Sequence, residues 1–91
     1  MLTLELTGKY RKDRNLAIRR GRNIALLDEV IEILQNEKPL DPKYQDHALK
    51  GRWSKLRECH IQGDWLLVYS VDKGRLILSL TRTGTHADFG W

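Results

Sequence analysis

A chain of 91 residues, 41% hydrophobic and 31% charged, is long enough for one folded domain and too apolar to stay disordered. No apolar run approaches the ~20 residues of a membrane span, and residues 1–12 alternate apolar with polar positions, unlike a secretory signal. The net charge is +4, and the single cysteine, Cys59, leaves no internal disulfide, so the expected location is the reducing cytoplasm.

Leu2, Leu4 and Leu6 alternate with Thr3 and Glu5, which predicts a short opening strand. Thr7 is placed to cap a helix after it, and Gly21 to end that helix. Its apolar face is thin, made of Tyr10, Leu16, Ala17 and Ile18. Around it stand Lys9, Arg11, Lys12, Arg14, Arg19, Arg20 and Arg22, against Asp13 alone. Lys50, Arg52, Lys55 and Arg57 form a second basic cluster. Clustered cations suit a polyanion, because each phosphate they neutralise releases a counterion. Charge alone fits a solvated helix face equally well.

Asn23 is the next N-cap, and Ile24, Leu27, Val30, Ile31 and Leu34 recur at helical steps. This second helix ends before Pro39, since the residue ahead of a proline avoids the helical region. Residues 37–51 then read as a loop, and His47 lies in it. Beyond it the pattern turns to strand. Residues 53–61 alternate imperfectly, Gln62-Gly63 marks a turn, and 65–71 is almost continuously apolar, as in a central strand covered on both faces. Asp72-Lys73-Gly74 predicts a hairpin loop with Gly74 at positive φ, and Leu76, Leu78 and Leu80 alternate on the last strand. The order predicts an α+β fold, an antiparallel sheet with an N-terminal helical hairpin packed on one face.

A 72–74 loop sets Val71 opposite Arg75 and, counting back, Asp64 opposite Arg82. His60 ends the neighbouring strand, and His86 lies past Gly84 on an expected flexible turn. His60, Asp64, Arg82 and His86 are therefore expected at one end of the sheet. These types suit RNA cleavage. A 2′-hydroxyl must lose a proton, the leaving 5′-oxygen must gain one, and the phosphate's extra charge must be stabilised. Taken singly, a strand-end Asp facing an Arg is also an ordinary surface ion pair, and a His near a turn an ordinary solvated residue. Cys59 and His60 are adjacent on a strand and point to opposite faces, so Cys59 reads as core rather than nucleophile. No pair of histidines has zinc-motif spacing, so neither metal nor cofactor is expected. Trp53, Trp65 and Tyr69 read as core, while Phe89 and Trp91 are candidates for stacking on a base.

The stretch Asp46-His47-Ala48-Leu49-Lys50-Gly51-Arg52-Trp53 resembles the D-H-x-L-x-G-x-W segment of YafQ-type toxins, in the RelE/ParE toxin superfamily. Arg57-Glu58-Cys59-His60-Ile61, then Gly63-Asp64-Trp65-Leu66-Leu67-Val68-Tyr69, resemble their R-[DE]-x-H-[IV] and D-W-[IL]-L-[IV]-Y strands. Arg82-Thr83-Gly84-Thr85-His86-Ala87 resembles their closing R-T-G-[ST]-H segment. The resemblance implies a RelE-like microbial ribonuclease fold. It implies cleavage of mRNA in the ribosomal A site without a cofactor, by a toxin that is monomeric when free. A cognate antitoxin would neutralise it in a hetero-oligomer. His47, His60, Asp64 and His86 match the family's proton-transfer and substrate-positioning residues, with His86 the general acid and the base left open. Arg82 matches the residue that stabilises phosphate charge. Lys50, Arg52, Trp65, Phe89 and Trp91 are then expected on the substrate, and Lys9, Arg11, Lys12, Arg14, Arg19, Arg20 and Arg22 on the ribosome. Phe89 follows His86 one position earlier than the family's terminal aromatic, so Phe89 and Trp91 both stand as candidates to orient the codon. The alternative function is a non-catalytic RNA- or partner-binding module on the same fold.

Overall fold

A computed structural model describes residues 1–90; Trp91 lies outside the described residues. The elements are β1 (Thr3–Leu6), α1 (Gly8–Arg19), α2 (Ile24–Gln35), β2 (His47–Ala48), β3 (Arg57–Gln62), β4 (Trp65–Asp72), β5 (Ile77–Gly84) and α3 (His86–Phe89). Short 3-10 turns cover Pro42–Tyr44 and Gly51–Trp53. Both helix starts form as the sequence predicts. The Thr7 side chain accepts from Tyr10 N, and the Asn23 side chain accepts from Ala25 N.

The sheet runs in the order β1-β5-β4-β3-β2. β2–β3, β3–β4 and β4–β5 are antiparallel, but β1 lies parallel to β5. A parallel neighbour needs a crossover connection, and here α1, α2 and the rest of the sheet supply it. Leu67, Tyr69, Cys59, Ile61, Leu78 and Leu80 meet Tyr10, Ala17, Leu27, Val30, Ile31 and Leu34 on the helical face. Leu66, Val68 and Phe89 form a smaller cluster on the other face, backed by Leu49 and Leu56. That second layer is why β4 is apolar at consecutive positions.

The expected register fails in two places. Asp72 pairs with Ile77, so the loop is 73–76, and Leu76 rather than Gly74 takes the positive φ, at 56°. The Asp72 side chain closes this wider loop by accepting from Arg75 N at 3.1 Å. A bulge then leaves Thr81 unpaired between Leu80 and Arg82, and its carbonyl accepts from the Thr7 hydroxyl at 2.8 Å. Arg82 consequently faces Val68, not Asp64, and Gly84 faces Leu66.

Cys59 is fully buried, and burial pushes its thiol up to about 12, so it is a neutral core residue.

Candidate active site

Cys59 and Ile61 pack on the helical face, so strand alternation puts Glu58 and His60 on the opposite one. There His47, Glu58, Val68 and Arg82 form one cross-strand row. Glu58 is only 3% exposed. Its Oε2 lies 3.3 Å from His47 Nε2, and its Oε1 lies 2.6 Å from His86 Nε2. The His86 contact is at ion-pair distance but outside hydrogen-bond geometry, and Oε1 has no hydrogen-bond partner among the described residues. His47 is turned by its other nitrogen, since Nδ1 lies 2.7 Å from the Gln45 carbonyl and donates to it in that tautomer. One buried carboxyl thus sits within ion-pair distance of two imidazoles that are themselves half exposed, and it can hold each of them when that imidazole is protonated.

His86 opens α3, and that start is firmly capped rather than a flexible turn. The Thr85 hydroxyl accepts from Asp88 N at 3.1 Å, and the Asp88 carboxylate accepts from Thr85 N at 2.9 Å. Gly84 precedes the cap at φ +151°, and a Cβ there would stand 2.8 Å from Asp88 Oδ2. Only glycine lets the chain turn this tightly from strand to helix. Phe89, at the other end of α3, anchors the helix in the apolar cluster beneath it.

Arg82 is held from α1. Its Nε donates to Asp13 Oδ2 at 2.6 Å and its Nη2 to Asp13 Oδ1 at 3.2 Å, while Thr83 N also donates to Oδ2 at 3.1 Å. This pairing with Asp13 holds the guanidinium above its ordinary pKa, and its remaining N–H donors are left for a ligand. The guanidinium also lies 4.8 Å above the Phe89 ring. Beside it opens a cleft of about 340 Å³ whose lining includes Lys9, Arg52, Trp53, Arg82 and Phe89. Arg52 stacks over Trp53 at 4.8 Å, and Trp53, expected in the core, is instead exposed in this cleft because it closes the Gly51–Trp53 turn. A cleft with three cations and two aromatic rings fits a short stretch of single-stranded nucleic acid.

The whole chain also follows a known pattern. Residues 2–90 match the family model for YafQ, the bacterial toxin of a type II toxin–antitoxin system. The chain belongs to the YafQ toxin family. The mRNA interferase toxin YafQ of Escherichia coli K12 is 40% identical over 86 residues, covering 92% of this chain and 90% of that protein. A metal-bound toxin from Helicobacter pylori matches with a TM-score of 0.91 at 43% identity, over 97% of this chain and 98% of that one. A chain of the E. coli DinJ-YafQ complex matches with a TM-score of 0.87 at 34% identity, over 97% of each. The five-stranded, mostly antiparallel sheet with its helical hairpin is the fold of these YafQ toxins.

Within this YafQ-family chain the expected site residues divide. His47, Arg82, His86 and Phe89 gather on the face opposite the helical hairpin, with Arg52 at the cleft. His60 shares that face, but its Nδ1 lies 3.0 Å from the Gly63 carbonyl, and it borders a separate cleft with Glu29, Lys43 and Tyr44. Asp64 is exposed in the turn, displaced from Arg82 by the register shift. Lys50 is exposed and precedes the Gly51–Trp53 turn. Trp65 must be removed from the substrate-facing set. It is fully buried on the helical face, where its Nε1 donates to the Thr83 hydroxyl at 2.9 Å.

The basic segment divides as well. Lys9, Arg11, Lys12 and Arg19 are exposed, and none forms an ion pair among the described residues. Arg14 is paired with both oxygens of Asp28, Arg20 is paired with Asp88, and Arg22 stacks 5.2 Å over Trp65. Those three are engaged within the fold, so they are poor candidates for free ribosome-binding cations. Sequence reading also passed over Glu58. The signal was present, since an acid two positions before His60 on one strand must share its face. Its burial between residues from β2 and α3 was not visible.

Proposed function

We propose that this chain is a toxin that cuts messenger RNA in the ribosomal A site by metal-independent acid–base chemistry, acting in the cytoplasm until a cognate antitoxin binds it. The observation that carries the reading is the pair His47 and His86 on the two oxygens of buried Glu58, on the same sheet face as Arg82 and the cationic, aromatic cleft that Arg82 lines. His47 takes the proton from the 2′-hydroxyl through Nε2, in the neutral tautomer whose Nδ1–H donates to the Gln45 carbonyl, as that oxygen attacks phosphorus. The bond from phosphorus to the 5′-oxygen breaks, and His86 gives that oxygen a proton, leaving a cyclic phosphate. Arg82 meets the charge that grows on the phosphate. Phe89 and Trp53 supply surfaces on which bases stack. The residues named fill every role in the reaction, so no step calls for a metal.

The test is cleavage of ribosome-bound message with a divalent-metal chelator present, under conditions that keep ribosomes intact. Cleavage at an unchanged rate is expected. Activity that disappears and returns with one particular metal would replace this mechanism with a metal-assisted one.

The exposed cations Arg11, Lys12 and Arg19 serve ribosomal RNA, while Lys9 lines the cleft for the message, and an acidic antitoxin segment that folds on binding would compete for part of that surface. Replacing Arg11, Lys12 and Arg19 together by Gln should weaken ribosome binding and reduce its salt dependence, by about one unit of slope for each phosphate no longer neutralised. The rate of the bound complex should hold. Normal binding with slow cleavage would move these residues into the active site.

A further inference from the structure

Helix α1 turns one stripe toward the rest of the protein: Tyr10, Asp13, Ala17 and, at its C-cap, Arg20. The steps are three, four and three residues, which keeps all of them on one side of a helix. Tyr10 and Ala17 are buried in the core, and Asp13 grips Arg82. Arg20 reaches the other end of the site. Its Nη1 donates to Asp88 Oδ2 at 3.0 Å and its Nη2 to Asp88 Oδ1 at 3.3 Å. The same Asp88 carboxylate caps Thr85 N, one residue before His86.

We infer that Arg20 is a positioning residue for His86, acting through Asp88. The inference rests on the ribonuclease reading for its consequence but not for its geometry. A helix of four residues has almost no intrinsic stability, so its orientation depends on its caps and its anchors. Phe89 fixes one end of α3. At the other end the Asp88 carboxylate joins the Thr85 amide to Arg20, and the guanidinium holds that carboxylate below its usual pKa. The carboxylate also fills the space against which Gly84 turns, at 2.8 Å from where a Cβ would be. With Arg20 removed, the cap can rotate about Phe89, and the His86 imidazole leaves its place 2.6 Å from Glu58. The two faces of α1 therefore have separate tasks. The outward cations hold RNA, and the inward Asp13 and Arg20 set the positions of Arg82 and His86.

Four variants test this: Arg20→Ala, Asp88→Asn, the double variant, and Arg20→Lys. The pair is partly exposed, so all should fold. Asp88→Asn keeps an acceptor for Thr85 N but loses the charge that binds Arg20. Two readouts are needed. The first is the ring-nitrogen NMR spectrum of His86 in the free protein. The second is the single-turnover rate at saturating ribosome, measured beside ribosome affinity. Arg20→Ala and Asp88→Asn should shift the His86 signals alike and slow cleavage about tenfold. The double variant should be no slower than either, and Arg20→Lys should recover part of the rate. An Arg20 that merely binds ribosomal RNA gives a different pattern: weaker affinity for Arg20→Ala, no such loss for Asp88→Asn, and unchanged rates at saturation. That pattern, additive losses, or His86 signals indifferent to Arg20 would overturn the inference. If the native chain cut no RNA at all, the ribonuclease reading would fail, and the His86 spectra alone would decide the coupling.

Discussion

His86→Gln should cut ribosome-bound message roughly 10²–10⁴-fold more slowly than the native chain, the range for loss of a general acid. The imidazole stands half exposed at the start of α3, so the substitution removes little packing and the loss should lie in turnover. Arg82→Gln should also be slow, for a different reason. In the proposed mechanism Arg82 stabilises charge that grows in the transition state, so ribosome affinity should barely change. A substrate with sulfur in place of the leaving 5′-oxygen separates the two. Sulfur departs without a proton, so the His86 variant should recover most of its rate on it, and the Arg82 variant should remain slow. Arg82→Gln also strands Asp13, which is 12% exposed and takes two donors from Arg82, so its folded fraction must be measured first. Equal rescue of both variants, or of neither, would mean that the acid is another group, with His60 and Asp64 the next candidates.

Glu58→Gln should have the second large effect. Gln fills nearly the same buried volume between β2 and α3, so the fold should survive, but two imidazoles lose the anion that aligns them. In a Ser-His-Asp triad, replacing the orienting carboxylate by its amide lowers turnover about 10⁴-fold with the geometry intact. The carboxyl here lies against both imidazoles proposed to transfer protons, and a loss of at least about 10²-fold is expected on the same reasoning. His47→Gln and His86→Gln combined with Glu58→Gln should add little, because the three side chains act as one unit. A Glu58→Gln protein that cleaves within about twofold of the native rate would reduce Glu58 to a structural partner of the histidines. The catalytic burden would then rest on His47, His86 and Arg82 without it.

Much of the architecture was legible in the chain, because it is written in short-range patterns. Thr7 and Asn23 cap their own helices within three residues. The apolar spacing of α2 and the almost continuous apolar run of β4 need no distant partner to be recognised. The motif segments around His47, His60 and His86 pointed to the YafQ family, and the family model extends over residues 2–90. What escaped the sequence depends on groups far apart in the chain. The register of β4 on β5 was decided by the Asp72 turn and by a bulge whose Thr81 carbonyl takes the Thr7 hydroxyl, and it separated Asp64 from Arg82. Trp65 read as core from its apolar run and as a substrate residue only from the family resemblance, and strand alternation with the weight of α1 and α2 buries it on the other face. Arg14 and Arg20 looked like free cations until Asp28 and Asp88 arrived opposite them. Glu58 looked like an ordinary charged residue on a strand. Periodicity reports which side of an element is apolar, but a charge acquires its role from the partners brought to it, and only the packed sheet brings His47 and His86 to one carboxylate.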